Sequence, residues 1–242
     1  MTNLLLSLVA VSAFAFGSLA IPKSHSPLLV QTEHELDYAD TKVPVILGVM
    51  SRCPDALLCE SVFDHVLKKV IDRVDLSLSF IGAINATEPT FGVTCKHGPL
   101  ECAGNVQELC ALKYADATQF WEFLQCQNYQ GRDKIGLAET ALQCANTAKI
   151  DWEASGVGAC TGLDGSGTAS EGVQLLQESV RASQELGIKN SCTVLINGKQ
   201  VCIHDGTWKQ CENGHTPHDF IKQINEEYNR LNGINTDDRV IV

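Results

Sequence analysis

Hydrophobic and polar positions change their period along this chain. Val43–Met50 is a short, nearly continuous apolar run, which is typical of a strand buried on both faces. From Pro54 to about Val74 apolar residues recur at spacings of three and four, which predicts an amphipathic helix. Leu76–Ile84 then alternates like a second strand. This order predicts two parallel strands joined by a crossover helix.

The middle of the chain has a helical pattern punctuated by cysteines. Between Pro99 and about Ile150 this pattern indicates a helical insertion. After a glycine-rich stretch, Ser170 is expected to cap a helix that runs through Leu186 and stops at Gly187. The glycines of that stretch lack the spacing of a nucleotide-binding loop, so they predict no phosphate site.

The last third of the chain returns to strands and ends in a helix. Cys192–Ile196 and Gln200–Ile203 are predicted strands, and Asn197-Gly198 between them is a strong hairpin signal. Thr216-Pro217-His218-Asp219 is a capped helix start. The order β-α-β, helical insertion, α-β-β-α predicts an α/β protein with a thioredoxin-like fold and a helical, cysteine-rich insertion.

The predicted organisation begins with a targeting segment. Residues 1–20 are apolar, too short for a comfortable membrane span, and end in a small-x-small pattern, which predicts a signal peptide. Residues 21–42 are expected to form a flexible leader. Residues 43–232 are expected to form the folded domain, with the insertion at about 99–150, and residues 233–242 a tail.

Composition and charge narrow the compartment and the partners. Eleven cysteines are too many for a typical cytosolic chain, so we expect disulfides, and their odd number leaves one thiol over. Asn85-Ala86-Thr87 is an N-glycosylation sequon. The net charge of −11 and the lack of a basic run argue against nucleic-acid and membrane-surface partners. We therefore expect a secreted, disulfide-bonded glycoprotein that is a monomer or a small oligomer.

A segment with a fixed cysteine frame, Cys95–Cys110, carries a family resemblance. It resembles the signature C-Q-H-G-x-x-E-C-x-x-N-x-x-x-x-C of the gamma-interferon-inducible lysosomal thiol reductase family, and only Lys96 departs from it. The matching positions are Cys95, His97, Gly98, Glu101, Cys102, Asn105 and Cys110. The likeness extends over roughly residues 43–230. It implies a thioredoxin-like domain that reduces disulfides of unfolding proteins in an acidic endosomal or lysosomal compartment. Together with the predicted signal peptide, this gives an expected location that is secreted or lysosomal/vacuolar. No cofactor is expected.

Other roles for the signature segment are weaker. Cys95, His97, Cys102 and Cys110 are residue types that bind zinc, but their irregular spacing and the secretory route argue against a metal site. His97 is expected to be a structural hydrogen-bonding residue in preference to an acid/base catalyst.

The chain departs from the family at its C-x-x-C motif. Cys53-Pro54-Asp55-Ala56 has alanine in the second thiol position, and the next thiol is Cys59. Cys53 keeps the place of the attacking thiol at a helix N-terminus. Cys59 lies about 9 Å further along the helix axis, beyond the ~7 Å Cα limit for a disulfide. Cys59 is therefore either a buried structural residue, free or bridged, or a redox partner that requires an unwound first turn.

A third cysteine is expected near Cys53. Alignment on the Asn197-Gly198 turn places Cys192 where thioredoxin-like proteins have a cis-proline beside the first thiol. The hypothesis is that Cys53 and Cys192 lie within bridging distance, as a redox pair or as a disulfide that silences the site. Cys202 and Cys211 are expected to bridge each other. The insertion cysteines, Cys126, Cys144 and Cys160, are expected to bridge to the signature segment.

Two functions remain open. The first is a thiol-disulfide oxidoreductase that reduces protein disulfides, in which Cys53 attacks and Cys59 or Cys192 resolves. The alternative is a non-enzymatic secreted, disulfide-rich glycoprotein that retains the family fold.

Overall fold

A computed structural model of the chain describes residues 40–234. The predicted signal peptide lies outside these residues, as do nearly all of the predicted leader and most of the predicted tail. The strands are β1 (Val43–Val49), β2 (Val74–Phe80), β3 (Ala83–Ile84), β4 (Val93–Thr94), β5 (Thr193–Ile196), β6 (Lys199–Asp205) and β7 (Thr207–Lys209). The helices are α1 (Pro54–Val70), α2 (Pro99–Tyr114), α3 (Ala117–Gln130), α4 (Ala138–Thr147), α5 (Val157–Thr161), α6 (Ser170–Glu185) and α7 (Pro217–Leu231).

Five of the strands form one mixed sheet in the order β2-β1-β5-β6-β7. β1 and β2 are parallel, with Val43 opposite Val74, and the remaining neighbours are antiparallel. The predicted strand-helix-strand crossover is therefore confirmed. The apolar run of β1 is explained by burial, because Val45, Leu47 and Val49 are fully shielded from solvent.

The hairpin between β5 and β6 turns where the sequence predicts. Asn197 and Gly198 have φ values of 46° and 74°, the positive values that a tight two-residue hairpin turn requires. β6 runs two residues past its predicted end at Ile203, and β7 follows directly after Gly206. β7 was not predicted, because three residues are too few to show an alternating pattern.

Two predictions of element boundaries are wrong. Ser170 does not cap α6: it is the first helical residue, Ala169 is the cap, and no side chain accepts a hydrogen bond there. The predicted strand Leu76–Ile84 is interrupted, because β2 ends at Phe80 and the two-residue β3 pairs with β4 in a separate small sheet.

The final helix is fixed to α1 by a cap and by aromatic packing. Thr216 Oγ1 accepts a hydrogen bond from the backbone N–H of Asp219 at 3.3 Å, and the Asp219 carboxylate accepts one from the backbone N–H of Thr216 at 3.0 Å. This is the predicted capping box. Across the helix pair, the rings of Phe63 and Phe220 lie 5.0 Å apart. α7 therefore holds α1 on the sheet.

The helical insertion is present and longer than predicted, since α5 extends it past Ile150. Cys126 is bonded to Cys144 and joins α3 to α4, so the expectation that these two cysteines bridge to the signature segment is wrong. Cys160 on α5 is bonded to Cys110 on α2, as expected for an insertion cysteine pinned to that segment. Among residues 40–234, no helix combines the length and the apolar character needed to cross a membrane.

Candidate active site

Cys53 occupies the cap position at the N-terminus of α1. Its backbone is extended (φ −81°, ψ 128°), and Pro54 follows as the first helical residue. The backbone N–H of Cys53 donates to the carbonyl of Met50 at 2.9 Å, which ends β1 in a tight turn. Free backbone N–H groups and the helix dipole at such a position favour the anionic form of a thiol. Cys53 is buried, and it is the one cysteine of residues 40–234 outside a disulfide.

The thiol of Cys53 has two close polar neighbours. Its Sγ lies 3.9 Å from the carbonyl oxygen of Ser191 and 4.0 Å from Oδ2 of Asp55. Ser191 also accepts a hydrogen bond at its Oγ from the backbone N–H of Met50, at 3.1 Å. The turn that carries Cys53 is therefore fastened to the residue that precedes Cys192.

The hypothesised bridge between Cys53 and Cys192 is not formed. Cys192 is bonded to Cys59, with the two Cα atoms 6.2 Å apart and a separation of 133 positions along the chain. Both cysteines are fully buried. α1 remains helical from Pro54 onwards, so its first turn is not unwound and Cys59 faces the core six residues after Cys53. Cys59 is thus a bridged, buried residue, and its partner Cys192 directly follows Ser191, whose carbonyl oxygen lies 3.9 Å from the sulfur of the free thiol.

The signature segment supports the turn in front of Cys53. The side-chain amide oxygen of Asn105 accepts a hydrogen bond from the backbone N–H of Ser51 at 3.0 Å. Ser51 Oγ donates to the carbonyl of Glu101 at 3.2 Å, and Asn105 Nδ2 lies 3.8 Å from Sγ of Cys95. Asn105 and Glu101 therefore position the residues that lead into Cys53, although, among the described residues, the polar partners of its sulfur are Asp55 and Ser191 and not members of the signature segment.

The other residues of the signature segment interact with one another through a disulfide and hydrogen bonds. Cys95 is bonded to Cys102. The backbone N–H of His97 donates to Glu101 Oε1 at 3.1 Å, and Nδ1 of His97 is hydrogen-bonded to Glu101 Oε2. Gly98 caps α2 with φ 88°, a left-handed conformation that favours glycine. These contacts fit a structural role for His97.

Two buried glutamates were not singled out from the sequence. Glu60 on α1 accepts a hydrogen bond from Asn128 Nδ2 at 2.7 Å, while its other oxygen is buried without a partner. Burial raises the pKa of Glu60 to about 8. Burial also raises the pKa of Glu108 on α2, and the nearby carboxylates of Glu60 and Glu101 add to the effect. Glu60 is one of several polar and charged positions between residues 60 and 72, so the sequence pattern gave no signal that this residue is buried.

Asp55 and His204 are the other residues that the sequence did not reveal. Asp55 Oδ1 lies 2.8 Å from Nδ1 of His204 on β6, and it also accepts a hydrogen bond from the backbone N–H of Gly206 at 2.8 Å. His204 is 6% exposed. The contact between the two side chains is at ion-pair distance without hydrogen-bond alignment of the imidazole. Since 149 positions separate these residues, only the pairing of β6 in the sheet brings them together.

The remaining predicted positions lie away from the free thiol. Cys202 on β6 is bonded to Cys211 after β7. Asn85 lies after β3, where its side chain accepts a hydrogen bond from the backbone N–H of Thr87 at 3.0 Å and donates to Thr94 at 3.0 Å. Glycosylation at Asn85 stays a prediction.

The mixed sheet, the β1-α1-β2 crossover and a free thiol at the start of α1 define a thioredoxin-like protein. Two solved structures from Mycobacterium tuberculosis share this fold. The reduced form of the disulfide bond oxidoreductase DsbG is 15% identical, with a TM-score of 0.50, covering 79% of this chain and 81% of its own. Reduced DsbA is 15% identical, with a TM-score of 0.51, covering 79% of this chain and 85% of its own. The predicted fold class is confirmed.

Residues 44–148 match the model of the family described as gamma interferon inducible lysosomal thiol reductase (GILT). This is the family whose signature the segment Cys95–Cys110 resembles, so the match supports the predicted relationship. A relative, GILT-like protein 1 from Drosophila melanogaster, is 29% identical over 133 residues, which are 48% of this chain. The match spans about half of that relative, 52% of its length.

Proposed function

We propose that the protein catalyses thiol-disulfide exchange and reduces disulfide bonds of protein substrates, with Cys53 as the attacking thiol. The observation that carries this proposal is the position of Cys53. It is a free thiol at the N-terminus of α1, in contact with the carbonyl of Ser191, and the other ten cysteines are all paired. The match to the thiol reductase family model and the thioredoxin-like fold support the same class of reaction.

The first chemical step needs only Cys53. Its thiolate attacks one sulfur of the substrate disulfide, forms a mixed disulfide, and releases the other substrate sulfur as a thiolate, which takes up a proton. No net oxidation occurs, because one disulfide bond replaces another. The family motif would resolve this intermediate with a second thiol one helical turn later, but Ala56 stands there.

The second step is assigned to Cys192. When an external dithiol or thiol has reduced the bond between Cys59 and Cys192, the Cys192 thiolate attacks Sγ of Cys53 and releases the reduced substrate. The products are a Cys53–Cys192 disulfide and a substrate thiol, and the same external reductant restores the enzyme. Cys192 is preferred to Cys59 because Cys53 Sγ is 3.9 Å from the carbonyl of the neighbouring Ser191.

The substrate class and the compartment follow from the family resemblance and the cysteine content. Unfolding proteins with accessible disulfides are the proposed substrates, and an acidic compartment of the secretory route is the proposed location. The five disulfides fit an oxidising compartment. The raised pKa of Glu60, about 8, favours the folded state in acid, which supports the same location.

A second candidate function has its own supporting observation. Cys59 and Cys192 are bonded to each other, and Ala56 occupies the second motif position, so Cys53 has no partner thiol in this state. A secreted glycoprotein that keeps the fold without redox turnover would have the same arrangement.

A reductase assay at pH about 5 separates the two functions. We expect the wild-type chain to reduce a disulfide-bonded protein when a small thiol is supplied, and Cys53→Ser to abolish the reaction. Cys192→Ser should strongly slow turnover. Ser61→Ala, an exposed change on the same helix, serves as the control and should leave the rate unchanged. A wild-type rate no higher than that of the small thiol alone would support the non-enzymatic alternative. Equal rates above that background for wild type and Cys53→Ser would contradict the role of Cys53.

A further inference from the structure

We propose that Asp55 and His204 form a charge-compensating pair that sets the reactivity of the Cys53 thiol. The inference rests on the proposed function and assigns a positioning role to two side chains at the same site. Asp55 is the residue between Pro54 and Ala56, and its two oxygens point to different partners. Oδ2 is 4.0 Å from Cys53 Sγ, and Oδ1 is 2.8 Å from His204 Nδ1.

The backbone fixes this arrangement from both sides. The N–H of Gly206, in the turn between β6 and β7, donates to Asp55 Oδ1 at 2.8 Å. His204 exchanges two backbone hydrogen bonds with Cys192, at 2.9 and 2.8 Å. The imidazole of His204 also packs edge-on against the ring of Trp208, with centroids 4.9 Å apart. One segment of β6 therefore holds both Cys192 and the partner of Asp55.

The charged side chains next to this pair in the sequence interact with other residues. Arg52, beside Cys53, has its guanidinium 3.5 Å from Asp133 and donates from Nε to the carbonyl of Arg132 at 2.8 Å. Asp205, beside His204, pairs with Lys209 at 3.0 Å. Within residues 40–234, His204 is the one basic side chain at ion-pair distance from Asp55. The state of His204 thus decides whether the carboxylate beside the thiol is compensated.

The sign of the effect follows from elementary electrostatics. An uncompensated carboxylate 4 Å from the sulfur opposes the thiolate, because two negative charges repel each other most strongly where water is scarce. A protonated imidazole on the far oxygen cancels much of that repulsion. Histidine gains this charge as the pH falls through the range in which imidazoles titrate. The pair therefore favours the reactive thiolate in acid, where thiols are otherwise least reactive.

Ala56 makes this pair important. In a C-x-x-C motif the second thiol lies beside the first, whereas the methyl group of Ala56 offers no polar contact. Asp55 is then the side-chain polar group in contact with the Cys53 sulfur in the described part of the chain. We infer that the pair takes over the tuning of Cys53.

The experiment measures how fast iodoacetamide alkylates Cys53 in the intact chain, with the modified peptide identified by mass mapping. His204→Gln should slow alkylation about tenfold near pH 5 and have a smaller effect near pH 8, because an imidazole is more fully protonated at the lower pH. Asp55→Asn keeps an oxygen for Gly206 but removes the charge, so it should accelerate alkylation. In the Asp55→Asn background, His204→Gln should have little further effect.

Asp205→Asn is the matched control, since it removes a neighbouring carboxylate that pairs with Lys209, and its alkylation profile should equal that of the wild type. If the ratio of the wild-type alkylation rate to the His204→Gln alkylation rate did not change with pH, the proposed role of the Asp55–His204 pair would be wrong. The proposed role would also be wrong if His204→Gln slowed alkylation in the Asp55→Asn background as much as it does in the wild-type background. Reactive Cys53 in every variant, without these differences, leaves the proposed function intact. A wild-type Cys53 that is inert at all pH values contradicts the proposed function itself.

Discussion

Glu60 shows how one buried carboxyl group links this fold to pH. In the unfolded chain its pKa is near 4.5, whereas burial raises it to about 8 in the folded protein. Between these values the folded state holds a proton that the unfolded state has lost, so stability is complete below about pH 4.5 and falls as the pH rises toward 8. The raised pKa of Glu108 acts in the same direction. These two buried carboxyl groups should therefore contribute more to stability in acid than at neutral pH.

Glu60→Gln tests this coupling. The amide keeps an oxygen for Asn128 but cannot ionise, so the variant should match the wild type near pH 4.5 and exceed its stability near pH 7.5. The expected difference at the higher pH is on the order of 3 kcal/mol, measured by denaturant unfolding. Glu171→Gln, a surface acid paired with Lys113, is the control and should show a small change at both pH values. Parallel pH profiles for wild type and Glu60→Gln would refute the assignment.

At the level of secondary-structure elements, two disulfides connect the helices of the insertion to one another. Cys126–Cys144 closes 18 residues between α3 and α4, and Cys110–Cys160 closes 50 residues between α2 and α5. Gly172 lies against this second bridge, where an added Cβ would come within 2.9 Å of Cys110 Sγ. α6 therefore packs tightly on the same bridge, and the insertion and the sheet share one core.

Removal of the longer bridge should destabilise the protein more than removal of a short one. In the chain-entropy description, the double variant Cys110→Ser, Cys160→Ser should lose about 4 kcal/mol. Cys202→Ser, Cys211→Ser opens a loop of nine residues and should lose about 3 kcal/mol. Denaturant unfolding of the two variants compares them directly. A larger loss for the short loop would show that local packing, and not chain entropy, dominates.

Elements with a local signal were predicted well. The stripe of α1 and the Thr216–Asp219 capping box depend on residues within a few positions of each other, and both are present. The cap of α6 was assigned to Ser170 because serine is favoured at cap positions. Serine is also tolerated in the first helical turn, and nothing in the sequence distinguishes the two positions. β7 is too short to show a period.

At the scale of the whole molecule, the site is assembled from distant segments, and this limits what the sequence reveals. Cys53 could be identified because its role depends on Pro54 and the start of a helix. The bond between Cys59 and Cys192 spans 133 residues, and the contact between Asp55 and His204 depends on the register of β6. Spacing along the chain carries no information about either pairing.

Capture of the mixed disulfide at Cys53 tests directly whether Cys53 is the attacking thiol. The wild-type chain, with its five disulfides closed, is incubated with an unfolded disulfide-bonded protein at pH about 5, quenched in acid and mapped by mass spectrometry. Because Cys59 and Cys192 are bonded to each other, nothing resolves the intermediate, and we expect the substrate to be joined to Cys53. A chain in which Cys53 stays free, or in which the substrate is joined to another cysteine, would contradict the claim that Cys53 is the attacking thiol.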